Sequence, residues 1–187
     1  DAIAEADRLY QEKNLKGAKS AYETALKLNP KASYPVERIA KISKQIEAEE
    51  ADKALYDVAM ASAQKWLDAK DYEKALADLR TASGLKPGNI SLKQKVDEVD
   101  KIVQEQKAIE DSYKENISKA ENYYAVGEYE NSVKHFSEAS RIKPGESYPR
   151  NRIAEINKII ADNKQKATQY EQKILAADSQ FGKKQYD

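Results

Sequence analysis

Gly127-Glu128-Tyr129-Glu130-Asn131-Ser132-Val133-Lys134-His135-Phe136-Ser137-Glu138-Ala139-Ser140-Arg141-Ile142-Lys143-Pro144, followed by Ser147-Tyr148-Pro149, decides the fold, because shifted copies of it lie upstream at one fixed interval. Leu15, Tyr72, Tyr129 and Tyr186 follow one another at 57 residues, and so do Pro30, Pro87 and Pro144, and Ala25, Ala82 and Ala139. Tyr22, Leu79 and Phe136 keep the same step, as do Ile39, Val96 and Ile153, and Ile46, Val103 and Ile160, with no insertion anywhere. A constant period over three copies is not compositional chance. It marks an array in which each unit stacks on its neighbours to bury a shared core.

Composition agrees. The 187 residues include only 6 Gly and 5 Pro, and strand-like alternation is lacking, so the chain reads as nearly all helix. Lysine plus arginine (32) equals aspartate plus glutamate (32), with the signs interspersed as on solvated helix faces. There is no basic stripe to neutralise phosphates, which argues against nucleic acid as the partner, and no run of about 18 apolar residues to span a bilayer. With no cysteine, disulfides and thiolate metal sites are excluded, while a bacterial periplasm and a cytosol both stay compatible. The first residue aligns with Val58 and Glu115, inside a unit. The reading is one array over 1–187, a fragment of a longer protein, with units of approximately 1–57, 58–114 and 115–171 and a partial one at 172–187.

Within the first unit, Ile3, Ala6, Leu9 and Tyr10 share a helical face, Asn14-Leu15-Lys16-Gly17 reads as a turn, and Ala18, Tyr22, Ala25 and Leu26 make a second helix ending before Asn29-Pro30. Tyr34-Pro35 starts the next helix, with proline where a missing N–H costs nothing. The second unit places Ser91-Leu92 there, with Gln94 at capping-box spacing from Ser91.

No glycine or proline interrupts Val36 to Lys70, Ser91 to Val126 or Arg150 to Phe181. Each stretch has two apolar ends, for example Val96, Val99 and Val103, then Tyr113, Ile117, Ala120 and Tyr124, separated by a polar seam at Gln106 and Glu110. The seam residues are good helix formers without a stop signal, which favours one helix of ~35 residues and ~50 Å over two helices with a break.

Ala120, Tyr123, Gly127, Tyr129, Ser132, Phe136, Ala139 and Pro144 resemble the signature of the tetratricopeptide repeat, in which small residues let two antiparallel helices approach and aromatic residues fill the gap between them. Ala63, Trp66, Tyr72, Ala75, Leu79, Ala82 and Pro87 repeat it, as do Ala6, Leu9, Leu15, Ala18, Tyr22, Ala25 and Pro30. The resemblance covers about half of each unit. That family repeats at about 34 residues, so each unit here carries roughly 23 more, inserted after the terminal proline. The resulting expectation is an all-α, TPR-like helical solenoid with alternating long (~35-residue) and short (~14-residue) helices. The added segments Ser33-Tyr34-Pro35-Val36-Glu37-Arg38-Ile39 and Ser147-Tyr148-Pro149-Arg150-Asn151-Arg152-Ile153-Ala154-Glu155-Ile156 resemble repeats of Bacteroidetes-type cell-envelope proteins. That resemblance implies a periplasmic or envelope-associated scaffold in assembly, secretion or motility machinery, with a cytoplasmic protein as the alternative.

Nothing points to catalysis. Trp66, Tyr123 and Tyr129 read as inter-helix fillers. Lone His135 has no second His, no Cys and no nucleophile arrangement beside it. Acidic pairs lack a desolvated cleft, and no glycine-rich phosphate loop occurs. The chain is therefore expected not to be an enzyme and to need no cofactor or metal. The tetratricopeptide resemblance instead implies a binding row on the first helix of each pair. That row contains Ile3, Met60, Ile117 and Ile174, then Asp7, Gln64, Glu121 and Asp178, then Tyr10, Leu67, Tyr124 and Phe181. Its acids disfavour a carboxylate clamp and suit an apolar or basic protein segment, with aromatic anchors giving affinity and acids orientation. The alternative reading is a structural spacer or self-association module in which the row only packs against neighbouring units.

Overall fold

The computed structural model describes residues 2–184, and among them all regular structure is helical. The order is α1 (Ala2–Gln11), α2 (Leu15–Leu28), α3 (Ser33–Asp68), α4 (Tyr72–Leu85), α5 (Ile90–Ala125), α6 (Tyr129–Ile142) and α7 (Tyr148–Lys184). The short helices α2, α4 and α6 have 14 residues each, and the long ones α3, α5 and α7 have 36, 36 and 37. Tyr186, the last member of the 57-residue register, lies outside the described residues.

The expected continuity through the polar seam is found in α3 and α5. Residues 47–55 and 104–109 are exposed around the whole helix. A segment exposed on every side stays helical here because both of its ends are held by packing, and most of its residues have good helix propensity. Glu110 departs from the expected bare seam. It is half-buried and accepts a hydrogen bond from Lys143, at the end of α6, with Lys114 also within 3.2 Å. At the residue directly after the exposed stretch, the packing has already resumed.

The chain forms two compact bodies, 1–103 and 104–187. The first contains two cores. One joins Ala6 of α1, Ala18 and Tyr22 of α2 and Ile42 of α3. The other joins Ala59 and Ala63 of α3, Ala75, Leu76, Leu79 and Ala82 of α4, and Leu92 and Val99 of α5. The second body centres on Ala120 of α5, Phe136 of α6 and Ile156 of α7. The logic is the same in each: alanines bring two helices close, one large side chain fills the space, and the third helix closes it. Tyr22 and Phe136 are fully buried, each contributing about 1.5–3 kcal/mol of burial. Ser132 replaces the alanine of the other repeats and is equally buried, because its hydroxyl donates to the Ala120 carbonyl at 2.8 Å.

Each first helix stops the same way. Lys13, Lys70 and Gly127 occupy one register position, and all three have left-handed φ values of 61°, 57° and 79°. The next N–H reaches back five residues, Asn14 to Leu9, Asp71 to Trp66 and Glu128 to Tyr123, each at 2.9 Å. This pairing, with the shorter bond from the left-handed residue itself, is a Schellman stop.

The structure moves three helix starts. Asn14 to Gly17 is not a turn, since α2 already begins at Leu15, and the Gly17 N–H donates to Asn14 Oδ1 at 3.0 Å. Asp71 plays the same part for Lys74 at 3.2 Å. The Ser91 and Gln94 capping box is not made. Because α5 starts at Ile90, Ser91 already lies in the first turn, and Asn89 Oδ1 accepts instead from the Leu92 N–H at 3.0 Å. Helix α3 starts at Ser33, so Pro35 stands third in the helix, still where its missing N–H has no intrahelical acceptor.

Candidate functional site

The expected binding row runs along α1, the last third of α3, the last third of α5 and the last part of α7. Its surroundings differ from repeat to repeat. In the first, Tyr22 and Tyr34 both donate to Asp7 Oδ1, Tyr34 at 2.8 Å, and Arg38 Nε donates to the Tyr22 oxygen at 3.2 Å. The Arg38 guanidinium lies 4.1 Å from the centre of the Tyr10 ring, and Tyr22 meets Tyr34 edge to face at 6.1 Å. Hydrogen bonds from Tyr22 and then Tyr34 hold the Asp7 carboxyl below its usual range. Burial, followed by the bond to Asp7, pushes the Tyr22 phenol up to about 12.

The third repeat rebuilds this cluster at the matching positions. Arg152 donates to both oxygens of Glu121, Tyr148 donates to Glu121 Oε1 at 2.5 Å, and the guanidinium lies 4.4 Å from the centre of the Tyr124 ring. Phe136 meets Tyr148 edge to face at 6.1 Å. Burial works to raise the Glu121 carboxyl, but the hydrogen bonds from Arg152 and Tyr148 outweigh it and the net shift is downward. In both repeats the third helix lays a tyrosine and an arginine across the row, so Asp7, Tyr10, Glu121 and Tyr124 are engaged by their own chain.

The middle repeat differs at every corresponding position. Gln64, Leu67, Leu79, Ser91 and Lys95 stand where the first repeat has Asp7, Tyr10, Tyr22, Tyr34 and Arg38. Gln64 donates sideways to Asp68 at 2.8 Å, Leu67 packs on the core, and Met60 is half-buried at the edge of a cleft of about 340 Å³ that Tyr56, Ser91, Leu92 and Lys95 also line. In the last row, Ile174 and Phe181 are 44% and 65% exposed, Asp178 is exposed with them, and residues 161–181 are exposed on all faces of α7. In the first repeat, Ile3 is half-buried at the start of α1 and does engage neighbouring groups. In the third, Ile117 packs against the core.

Residues 6–32 match the family model for the tetratricopeptide repeat. Those residues cover the α1–α2 pair, and the same small-residue and aromatic positions recur in the α3–α4 and α5–α6 pairs. The chain is a tetratricopeptide-like helical array. A solved tetratricopeptide protein, TTC0263 of Thermus thermophilus, aligns over 83% of this chain and 96% of its own at 20% identity, with a TM-score of 0.24. No curated protein matches the sequence. Tetratricopeptide repeats are protein-interaction units, and this array has the corresponding helix pairs.

The remaining candidates have structural partners. Trp66 packs against the middle core under the ammonium groups of Lys65 and Lys74, at 5.1 and 4.4 Å from its ring. His135 stacks on Tyr123 at 5.4 Å and its Nδ1 lies 3.1 Å from Asn116 Oδ1. Among the described residues no group of His, Cys, Asp and Glu is arranged to hold a metal ion, and no helix is long and apolar enough to cross a membrane.

The arginine and tyrosine that cover the row were not among the site residues read from the sequence. The signal was present, since residues 34, 91 and 148, like 38, 95 and 152, share one register position. Spacing alone did not reveal that these side chains reach from the third helix back to the first.

Proposed function

We propose that this array binds segments of protein partners along its first helices, with the middle repeat as the principal contact. The tetratricopeptide match over residues 6–32, extended by the same spacing in the next two pairs, carries the reading. The equal numbers of basic and acidic residues fit a protein partner better than a nucleic acid. Site-specific photocrosslinking tests it. A photoreactive residue at position 60 or 64 should capture a discrete protein from the source cell, and one at the exposed seam position 107 should not. Equal capture from all three positions would reject this face.

The spacer reading has its own support in the exposed polar middle of α3, which buries nothing and separates two packed ends. Seam shortening distinguishes the two readings: deleting a whole number of turns from α3 should leave capture at position 60 intact for a binder and abolish function for a spacer. A place in bacterial envelope assembly, secretion or motility rests on the likeness of Ser33–Ile39 and Ser147–Ile156 to envelope repeats. Cell fractionation tests it, and a purely cytoplasmic pool would refute it.

A further inference from the structure

Where the third helix begins, repeats 1 and 3 bridge to their first helix with their own side chains, whereas the matching positions of repeat 2 cannot make that bridge. Tyr34 and Tyr148 each span the gap to a carboxylate, Asp7 and Glu121. Arg38 and Arg152 lie over the aromatic residues of the same cluster. At the matching positions of repeat 2 the tyrosine is Ser91, too short to span, and the carboxylate is Gln64, while the cation is kept as Lys95. The cleft of about 340 Å³ is lined by Tyr56, Met60, Ser91, Leu92, Lys95 and Glu98, among others. That volume falls at the lower end of small-ligand pockets.

Lys95, which lines the cleft, and Lys86, which lies over the ring of the cleft's Tyr56, each stand where the third repeat pairs a cation with an acid that this repeat has replaced. Arg152 has Glu121, but Lys95 has Gln64 at the matching register position and pairs with Glu98 instead, at 3.3 Å on an exposed surface. Lys143 has Glu110, but Lys86 has Lys53 at the matching position, and its ammonium lies 3.6 Å from the centre of the Tyr56 ring. An exposed pair such as Lys95 with Glu98 is worth little and exchanges readily. The cleft therefore has an apolar floor of Tyr56, Met60 and Leu92, an adaptable thioether, and in Lys95 a cation open to a carboxylate.

We infer that this cleft is a binding site for an aromatic side chain adjacent to a carboxylate on a partner protein, the two groups that repeats 1 and 3 supply from their own chain. The ring takes the place of Tyr34 or Tyr148 against Met60 and Tyr56, and the carboxylate meets Lys95. This inference rests on the protein-binding reading above and names the chemistry that the middle repeat selects.

The probes are three capped peptides, acetyl-Gly-Glu-Tyr-Gly-amide and the same sequence with Gln for Glu or Ala for Tyr. They are titrated into the full chain and followed by amide and methyl NMR shifts. The Glu-Tyr peptide should shift Tyr56, Met60, Ser91 and Lys95 saturably at concentrations on the order of 1 mM or below, and each control should bind roughly fivefold to tenfold more weakly. Ser91→Tyr restores the residue of the sister repeats. It should raise Tm and weaken the peptide roughly tenfold or more. Lys95→Gln, on an exposed surface, leaves the fold intact and should remove the preference for Glu over Gln. Undiminished binding to Ser91→Tyr, equal binding of all three peptides, or no shifts at the cleft would each overturn the inference. If the peptides fail while position 60 still captures a protein, the cleft assignment falls and the scaffold reading stands. If both fail, the scaffold reading falls as well.

Discussion

Arg152 grips Glu121 through two parallel hydrogen bonds, Nε to Oε1 at 3.1 Å and Nη2 to Oε2 at 3.0 Å, and so ties the start of α7 to the last third of α5. The guanidinium side chain is only 18% exposed, sandwiched against Tyr124. A lysine matches neither the fork nor the flat stacking surface. Arg152→Lys should lower unfolding free energy by about 1–2 kcal/mol. Arg141→Lys is the control, because its pair with Glu138 is exposed at 76% and 43%, and it should be nearly silent. Urea melts of the two variants check this, and equal effects would contradict it.

The same clusters set the pH dependence. Asp7 and Glu121 have folded pKa values below their ordinary 3.8 and 4.5, so their contribution is present above those values and is lost as pH falls through the lowered ones. Tyr22 is shifted the other way, from 10.0 to about 12, so its contribution is present below pH 10 and is lost as pH rises from 10 to 12. Tyr22→Phe should flatten part of the alkaline limb and, by removing a donor to Asp7, part of the acid limb. Stability measured by urea from pH 3 to 11 should show both changes, and unaltered limbs would rule out the proposed coupling.

The left-handed stop of the first helix is made by Gly127 in one repeat and by lysine in the other two, at φ values of 61° and 57°. A side chain in that region costs roughly 1–2 kcal/mol, part of which glycine returns through its greater freedom in the unfolded chain. Lys13→Gly and Lys70→Gly should each stabilise by about 0.5–1 kcal/mol, and Gly127→Ala should destabilise by a similar amount. Calorimetric melting of the three single variants decides it, since the signs must oppose.

Gln45 Oε1 is buried without a hydrogen-bond partner, and its counterparts in the next two repeats are Ile102 and Ile159. A buried acceptor left unpaired costs about 1–3 kcal/mol. Gln45→Ile should therefore raise the melting temperature, whereas a fall would mean that the amide has a partner in solution.

Most of the fold was legible in the sequence because it is periodic. The alanine pairs, the aromatic fillers and the prolines repeat without slippage, and helix length follows from where glycine and proline are absent. Helix starts were read less well, because capping depends on one backbone position: Asn89 and Ser91 both satisfy the composition rule, and only the geometry selects Asn89. The row was legible as positions but not as a surface. Tyr34, Tyr148 and Arg152 lie 27 to 31 positions from the acids they meet, and Arg38 lies 16 from the Tyr22 oxygen, so these contacts are tertiary and have no local signature. The middle repeat shows why this matters, since the substitutions Ser91 and Gln64 look conservative in composition yet leave a cleft.

The repeat scheme stands or falls on whether α5 runs unbroken through its exposed polar stretch, residues 104–109. The decisive measurement is the set of backbone carbonyl and Cα chemical shifts of residues 90–125 in solution, recorded with amide hydrogen exchange for the intact chain and for Gln106→Pro. Uninterrupted helical shifts are expected in the intact chain. For Gln106→Pro they should be interrupted only around the substitution, with a loss of about 3 kcal/mol or more. Coil shifts and unprotected amides across 104–109 in the intact chain, together with an unchanged melt for Gln106→Pro, would contradict the continuous helix and leave three separate helices per repeat.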